Sequence, residues 1–256
     1  MKKVKNVLIT GATAGIGQAT AELFASHGHA LILTGRRAER LEETAKKISE
    51  EYGTLVLTLN FDIRDLEACK AAIDSIPDTS LPIDILVNNA GLAAGKDPLQ
   101  KGSIDDWERM IDTNIKGLLY MTRIIAPQMV EAGAGHIINI GSTAGKEVYA
   151  SGNVYCATKH AVDALTKGLR IDLLGTGVKV TQIAPGAAET EFSLVRYHGD
   201  EKKAEQVYEG YTPMRGEDIA QLIHMVTELP THLCVNDLVV TSIDQANSFY
   251  ISRELD

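Results

Sequence analysis

Thr10-Gly11-Ala12-Thr13-Ala14-Gly15-Ile16-Gly17 is the stretch whose reading decides the fold. A short β-branched-rich run, residues 4–10, leads into it, and residues 14–27 after it have helical spacing. Glycines at 11, 15 and 17 let a backbone come close to a pyrophosphate. The start of the helix adds free N–H groups and the positive end of a dipole. The spacing is Gly-x-x-x-Gly-x-Gly rather than Gly-x-Gly-x-x-Gly. A plain tight strand-to-helix turn would use the same glycines. Their place after the first strand of an alternating chain favours a phosphate cradle built from Gly11, Thr13, Gly15, Ile16 and Gly17.

Outward from this loop, strand and helix patterns alternate to about residue 185. Residues 30–34, 55–59, 83–87, 136–140 and 178–184 read as strands. Residues 37–52, 66–76, 105–130 and 154–174 read as helices. Continuous apolar strands joined by helices predict a parallel sheet covered on both faces. Right-handed crossovers then give an α/β, doubly wound, Rossmann-type domain. No linker or internal repeat divides residues 1–256, so one domain is expected. Residues 186–213 break the pattern, with a short helix expected over 201–208, and an irregular stretch of that length predicts a substrate lid. Residues 217–229 return to helix and 238–241 to strand.

The 256 residues are 45% hydrophobic and 23% charged, an ordinary globular composition. A net charge of −9 and only 5% aromatics argue against nucleic acid as the partner. Cys69, Cys156 and Cys234 are odd in number, lie far apart and form no CxxC, which fits a reducing compartment. No apolar run has the length of a membrane span, and the start at Met1 has too short an apolar run for a signal peptide. The expectation is a cytoplasmic protein with a small-molecule substrate and no nucleic-acid or membrane partner. The seven histidines show no metal-ligand spacing, so no metal is expected.

The second strand ends in Thr34-Gly35-Arg36-Arg37. A site for NAD usually places an acid here, on the ribose 2′-hydroxyl. Two guanidinium groups in its place suit a 2′-phosphate, which points to NADP. Asp62, closing the third strand, either accepts from an adenine amino group or caps the helix that starts near Asp65. Asn88-Asn89-Ala90-Gly91 closes the fourth strand, where ligands of such sheets bind.

Tyr155-Cys156-Ala157-Thr158-Lys159 opens a helix and puts Tyr155 and Lys159 on one face. A phenol titrates near pH 10, and a neighbouring ammonium favours its ionised form. Ser142 follows the fifth strand, Ile137-Ile138-Asn139-Ile140-Gly141, and can hold a substrate oxygen beside Tyr155 or cap a turn. Asn114 falls on the apolar stripe Trp107, Met110, Ile111, Ile115, Leu118, Thr122, Ile125. It either interrupts the helix and holds a water for a proton relay to Lys159, or is satisfied by neighbouring backbone. Trp107 is read as core or subunit interface.

Together these motifs, with Pro185-Gly186, resemble the short-chain dehydrogenase/reductase family, in its NADP-preferring branch, over essentially the whole chain. The resemblance implies Tyr155 as general acid/base, Lys159 on the nicotinamide ribose, Ser142 on the substrate oxygen and Asn114 in the proton relay. It implies cofactor contacts from Asp62, Asn89, Ala90, Gly91, Ile140, Pro185, Gly186 and Thr190. Residues 185–200 look like those of 3-hydroxy acid (serine / L-allo-threonine) dehydrogenases. Ala187-Ala188 departs from the bulkier aliphatics usual there.

A small hydroxy acid needs a cation for its carboxylate, and Arg196 in the lid is the candidate, unless it pairs with Glu189 or Glu191. The leading expectation is NADP-dependent oxidation of the 3-hydroxyl of a small hydroxy acid. The alternatives are a 3-oxoacyl-thioester, sugar or steroid reductase of the same family, and an NADP-sensing regulator without turnover. Small and apolar residues on a second helix face (Ala157, Ala161, Ala164, Leu165, Gly168) predict a homotetramer.

Overall fold

The computed structural model describes residues 4–254; Met1, Lys2 and Lys3, read above for a leader, lie outside them. The chain opens with β1 (Asn6–Thr10), α1 (Gly15–Ser26), β2 (Ala30–Gly35), α2 (Ala38–Tyr52), β3 (Val56–Asn60), α3 (Leu66–Asp74) and β4 (Ile85–Asn88). It continues through α4 (Ile104–Ile111), a π-helical turn (Asp112–Gly117), α5 (Leu118–Glu131), β5 (Gly135–Ile140), α6 (Asn153–Asp172) and β6 (Val178–Pro185). The last part holds β7 (Ala188–Glu189), α7 (Phe192–Arg196), α8 (Glu201–Gln206), β8 (Met214–Arg215), α9 (Gly216–Thr227) and β9 (Asp237–Val240).

Seven strands make one parallel sheet in the order β3-β2-β1-β4-β5-β6-β9. Side chains of a strand alternate between faces, and the two cores divide accordingly. Val7 and Ile9 of β1 join Phe24 of α1, Leu41 and Ile48 of α2, and Ile219 and Ile223 of α9. Leu8 turns the other way, to Ile73 of α3 and Met121, Ile125 and Met129 of α5. Burial on both faces explains why the strands read as continuous apolar runs. The strand order reverses between β1 and β4. The carboxyl ends of these two strands therefore flank a crevice, where open α/β sheets bind ligands. Among the described residues no helix is long and apolar enough to cross a membrane.

The stripe read as one helix over 105–130 is two helices joined by the π-helical turn that contains Asn114. Ile111, assigned to the buried stripe, lies exposed at the end of α4. Asp65 is the cap of α3, accepting from the N–H groups of Glu67 and Ala68, so Asp62 is left for another role. Segment 186–213 contains more order than its composition predicts. Its β7 pairs in parallel with β8, and Tyr208 Oη donates to Ala188 O at 3.0 Å. The five-residue α7 is too short to leave a periodic signal in sequence.

Phe24 is fully buried where α1 packs against α9 and stacks edge-on against His224. Phe24→Ala is expected to lower the unfolding free energy by about 3–5 kcal/mol, read as a shifted urea midpoint. An unchanged midpoint would show that this layer does not carry the fold.

Candidate active site

The β1 and β4 ends are stitched together at the crevice. Thr10 Oγ1 accepts from the backbone N–H of Asn89 at 3.0 Å and of Ala90 at 2.9 Å. Asn89 Nδ2 donates back to Thr10 O at 2.9 Å and Gly11 O at 3.1 Å. Gly11 has φ +68°, in the left-handed region. A Cβ on Gly17 would lie 2.4 Å from Gly11 O and 2.5 Å from Asn89 Nδ2, so only glycine fits under this seam. Ala14, ahead of α1, offers no side-chain cap, and the first turn of α1 contains no acid. The N–H groups of Gly15, Ile16 and Gly17 thus face the crevice without a capping side chain, a setting that fits a diphosphate. Thr190 lies over this loop, within 3.0 Å of where a Gly15 Cβ would be.

At the β2 end Arg37 holds Thr13, with Nε 3.1 Å and Nη2 2.8 Å from Oγ1. Its Nη1 donates to Glu191 Oε2 at 2.7 Å. Arg36 is half-exposed and lies 3.7 Å from Asp62. Asp62 accepts from Arg64 Nε, Nη2 and backbone N–H. The Arg64 hydrogen bond holds its carboxyl below the usual range, against the effect of burial. Two arginines with no carboxylate built into the strand end fit a 2′-phosphate.

Opposite this half, α6 carries Tyr155 and Lys159 on its buried face. A chain of amides fixes α6 against the strand ends. Asn88 Nδ2 donates to Asn139 Oδ1 at 2.9 Å, and Asn139 Nδ2 donates to Thr166 Oγ1 at 3.0 Å. Sequence reading missed Asn139, although an amide in the apolar run 137–140 was the available signal. Asn114 spends its side chain on Leu92 O (2.8 Å), Leu92 N–H (2.8 Å) and Thr158 Oγ1 (3.0 Å). It lies in the π-helical turn, and Leu92 and Thr158 satisfy its amide.

Lys159 Nζ donates to Ile140 O at 2.8 Å, and it lies under Gly91, 3.6 Å from where a Cβ would be. Burial pushes its pKa down to about 8. Burial also pushes the Tyr155 phenol up, and a hydrogen bond with Ser142 and the Arg196 guanidinium pull the other way. The Lys159 ammonium is turned to the Ile140 carbonyl.

Arg196 stacks over two rings, its Cζ 5.5 Å from the Tyr155 centroid and 5.3 Å from that of Tyr149. Its Nε and Nη2 are buried and have no hydrogen-bond partner among the described residues. Neither acid that could have claimed it in sequence does so: Glu191 is bound to Arg37 and Arg40 instead. The backbone of α7 is tied down by Gly95 N–H donating to Arg196 O at 3.0 Å, and His198 Nε2 meets Asp106 Oδ2 at 3.1 Å. Tyr155 and Arg196 share an open cavity, lined also by Asp97, Asp106, Trp107, Met110 and Asn153. Trp107, read from sequence as core or interface, is therefore a wall of this cavity. Ala94 and Gly95, which no sequence signal singled out, form another part of it.

A model of short chain dehydrogenases matches residues 5–199. The chain belongs to the short-chain dehydrogenase family. Within it, the chain is 49% identical over 241 residues to the NADP-dependent 3-hydroxy acid dehydrogenase YdfG of Salmonella typhi, covering 94% of this chain and 96% of that one. It is 47% identical over 250 residues to sulfoacetaldehyde reductase 2 of Chromohalobacter salexigens, covering 97% and 98%. It superposes on the closed form of a serine dehydrogenase complexed with NADP+ with TM-score 0.91 and 46% identity, covering 97% and 99%.

The Lys159 ammonium, buried on a carbonyl, is expected to titrate near pH 8 rather than 10.5. The unfolded chain then binds more protons between those values, so this group's contribution to stability rises with pH across that window. NMR of ε-13C-labelled lysines, with Lys159→Met to assign the signal, reads the titration directly. A midpoint at 10.5 would contradict the buried, unpaired setting.

Proposed function

We propose that this chain is an NADP-dependent dehydrogenase that interconverts the 3-hydroxyl of a small 3-hydroxy acid and the matching aldehyde or ketone. The observation that carries the substrate class is Arg196. A guanidinium stacked on the Tyr155 ring, with two buried donors unmatched by protein, lacks an anion. An unpaired buried charge is costly, and a carboxylate can satisfy two of its N–H groups at once. An uncharged thioester, sugar or steroid would leave those donors unmet, which disfavours the alternative reductases. The named relatives act on hydroxy acids, serine and sulfoacetaldehyde, and each such substrate bears an acidic head group.

Gly11, Thr13, Gly15, Ile16 and Gly17 would cradle the diphosphate of NADP, and Arg36 and Arg37 its 2′-phosphate. Asp62, Asn89, Ala90 and Gly91 line the adenosine side, and Ile140, Pro185, Gly186 and Thr190 the nicotinamide side. The bound cofactor supplies a hydride acceptor or donor. Ser142 holds the substrate oxygen next to Tyr155. The Tyr155 phenol, whose protonated form burial favours, gives its proton to that oxygen in the reductive direction, leaving the phenolate; in the oxidative direction the Tyr155 phenolate takes the proton from the alcohol. Lys159 orients the ribose under Gly91. Asn114 is a positioning residue that joins Leu92 to Thr158.

Segment 186–213 acts as the lid that brings Arg196 over the substrate, in a single catalytic domain of a cytoplasmic protein. Ala157 and Ala164 are exposed on α6, with Ile171 at its end and Leu119 on α5. Such apolar faces suit pairing of these helices in a homotetramer.

Arg196→Ala tests the substrate assignment. Loss of a buried charge partner commonly costs about 2–5 kcal/mol. The kcat/KM for serine or 3-hydroxypropionate is expected to fall by about 10²-fold or more, mainly through KM, with the dissociation constant of NADP unchanged. Unchanged hydroxy-acid kinetics would remove Arg196 as the anchor.

A further inference from the structure

Glu191 belongs to segment 186–213, yet its side chain reaches the β2 end. Its Oε2 accepts from Arg37 Nη1 and its Oε1 from Arg40 Nη1, each at 2.7 Å. Burial works to raise the pKa of this carboxyl, and the two arginines outweigh it and keep it ionised. The opposite edge of the Arg37 guanidinium is spent on Thr13 of the glycine loop. One guanidinium therefore joins the phosphate cradle to the lid. Thr190, the residue before Glu191, packs over Gly15 of the same cradle. Arg36 is held far more loosely, by one 3.7 Å approach to an Asp62 that Arg64 already engages.

We infer that Glu191 is a specificity-tuning residue: it competes with the 2′-phosphate of NADP for Arg37, and it yields that guanidinium on binding while Arg40 retains it. The inference rests on the reading of Arg36 and Arg37 as the 2′-phosphate site. A carboxylate beside a phosphate dianion opposes it, whereas a neutral 2′-hydroxyl is indifferent to that charge. Glu191 thus lowers the affinity for NADP without changing that for NAD. Arg40 limits the penalty, because the displaced carboxylate keeps one partner. The lid thereby loses one of its ties to the cradle whenever a 2′-phosphate is present.

The test is cofactor binding to the full-length protein, by calorimetry with NADP and with NAD at fixed ionic strength. In Glu191→Gln the dissociation constant for NADP is expected to fall about three- to fivefold, the scale of a half-exposed ion pair, and that for NAD to stay the same. Glu191→Asp, which retains the charge, is expected to bind NADP like the parent. In an Arg37→Gln background the Glu191→Gln change is expected to have a smaller effect on NADP, since the contested group is gone and only the repulsion between carboxylate and phosphate is left. A merely structural Glu191 would weaken both cofactors together, and that result, or an unchanged NADP constant, overturns the inference. Arg37→Gln alone separates the two levels. If it leaves the ratio of NADP to NAD affinity unaltered, the 2′-phosphate reading fails and the inference with it. If it lowers the ratio while Glu191→Gln changes nothing, the inference alone fails.

Discussion

The seam between β1 and β4 sets the geometry of the crevice. Thr10 and Asn89 exchange four hydrogen bonds across the strand ends, counting the Ala90 N–H and the Gly11 carbonyl. Those bonds fix where the chain leaves β1, and so fix the glycine loop and the direction of α1. They also leave no volume at residue 17 for anything beyond a hydrogen atom. Loosening this seam would move the N–H groups of α1 and the Asn88–Asn139–Thr166 amide chain that seats α6. The two halves of the site, phosphate cradle and phenol, are therefore set by one structural constraint.

On the α6 side the chemistry is governed by burial. Lys159 and Tyr155 are both withdrawn from water, and each is pushed toward its neutral form: the ammonium by desolvation down to about 8, the phenol upward. Neither finds a carboxylate partner among the described residues. Of the two acids on the cavity wall, Asp97 and Asp106, the second is engaged by His198 and Arg109. Arg196 keeps two buried donors, Nε and Nη2, without a partner among the described residues, and α7, which carries it, is held by the Gly95 and His198 contacts. The Arg196 guanidinium lies over the Tyr155 ring, 5.5 Å from its centroid.

The features legible in sequence are those encoded locally. The glycine loop after a strand, the Tyr155–Lys159 spacing of four, the missing acid at Arg36-Arg37 and the alternating strands all survive in the fold. Features created by the meeting of distant segments were not legible. Arg37 lies 154 residues from Glu191 and takes the partner that proximity in sequence offered to Arg196. Trp107 sits on a helical stripe, yet the approach of α7 makes it a cavity wall. The π-helical turn at Asn114 left an unbroken apolar pattern in the sequence. The order in α7 and in the β7–β8 pair is too short to have a period at all.

The central claim is that this site selects its substrate through an anion held by Arg196. The most direct measurement is the kcat/KM of the unmodified protein, with NADP, for 3-hydroxypropionate and for 1,3-propanediol. Both present the same primary hydroxyl, and only one carries the carboxylate. A preference of about 10² or more for the acid is predicted from the cost of leaving a buried guanidinium unpaired. Equal values for the acid and the diol would contradict the account.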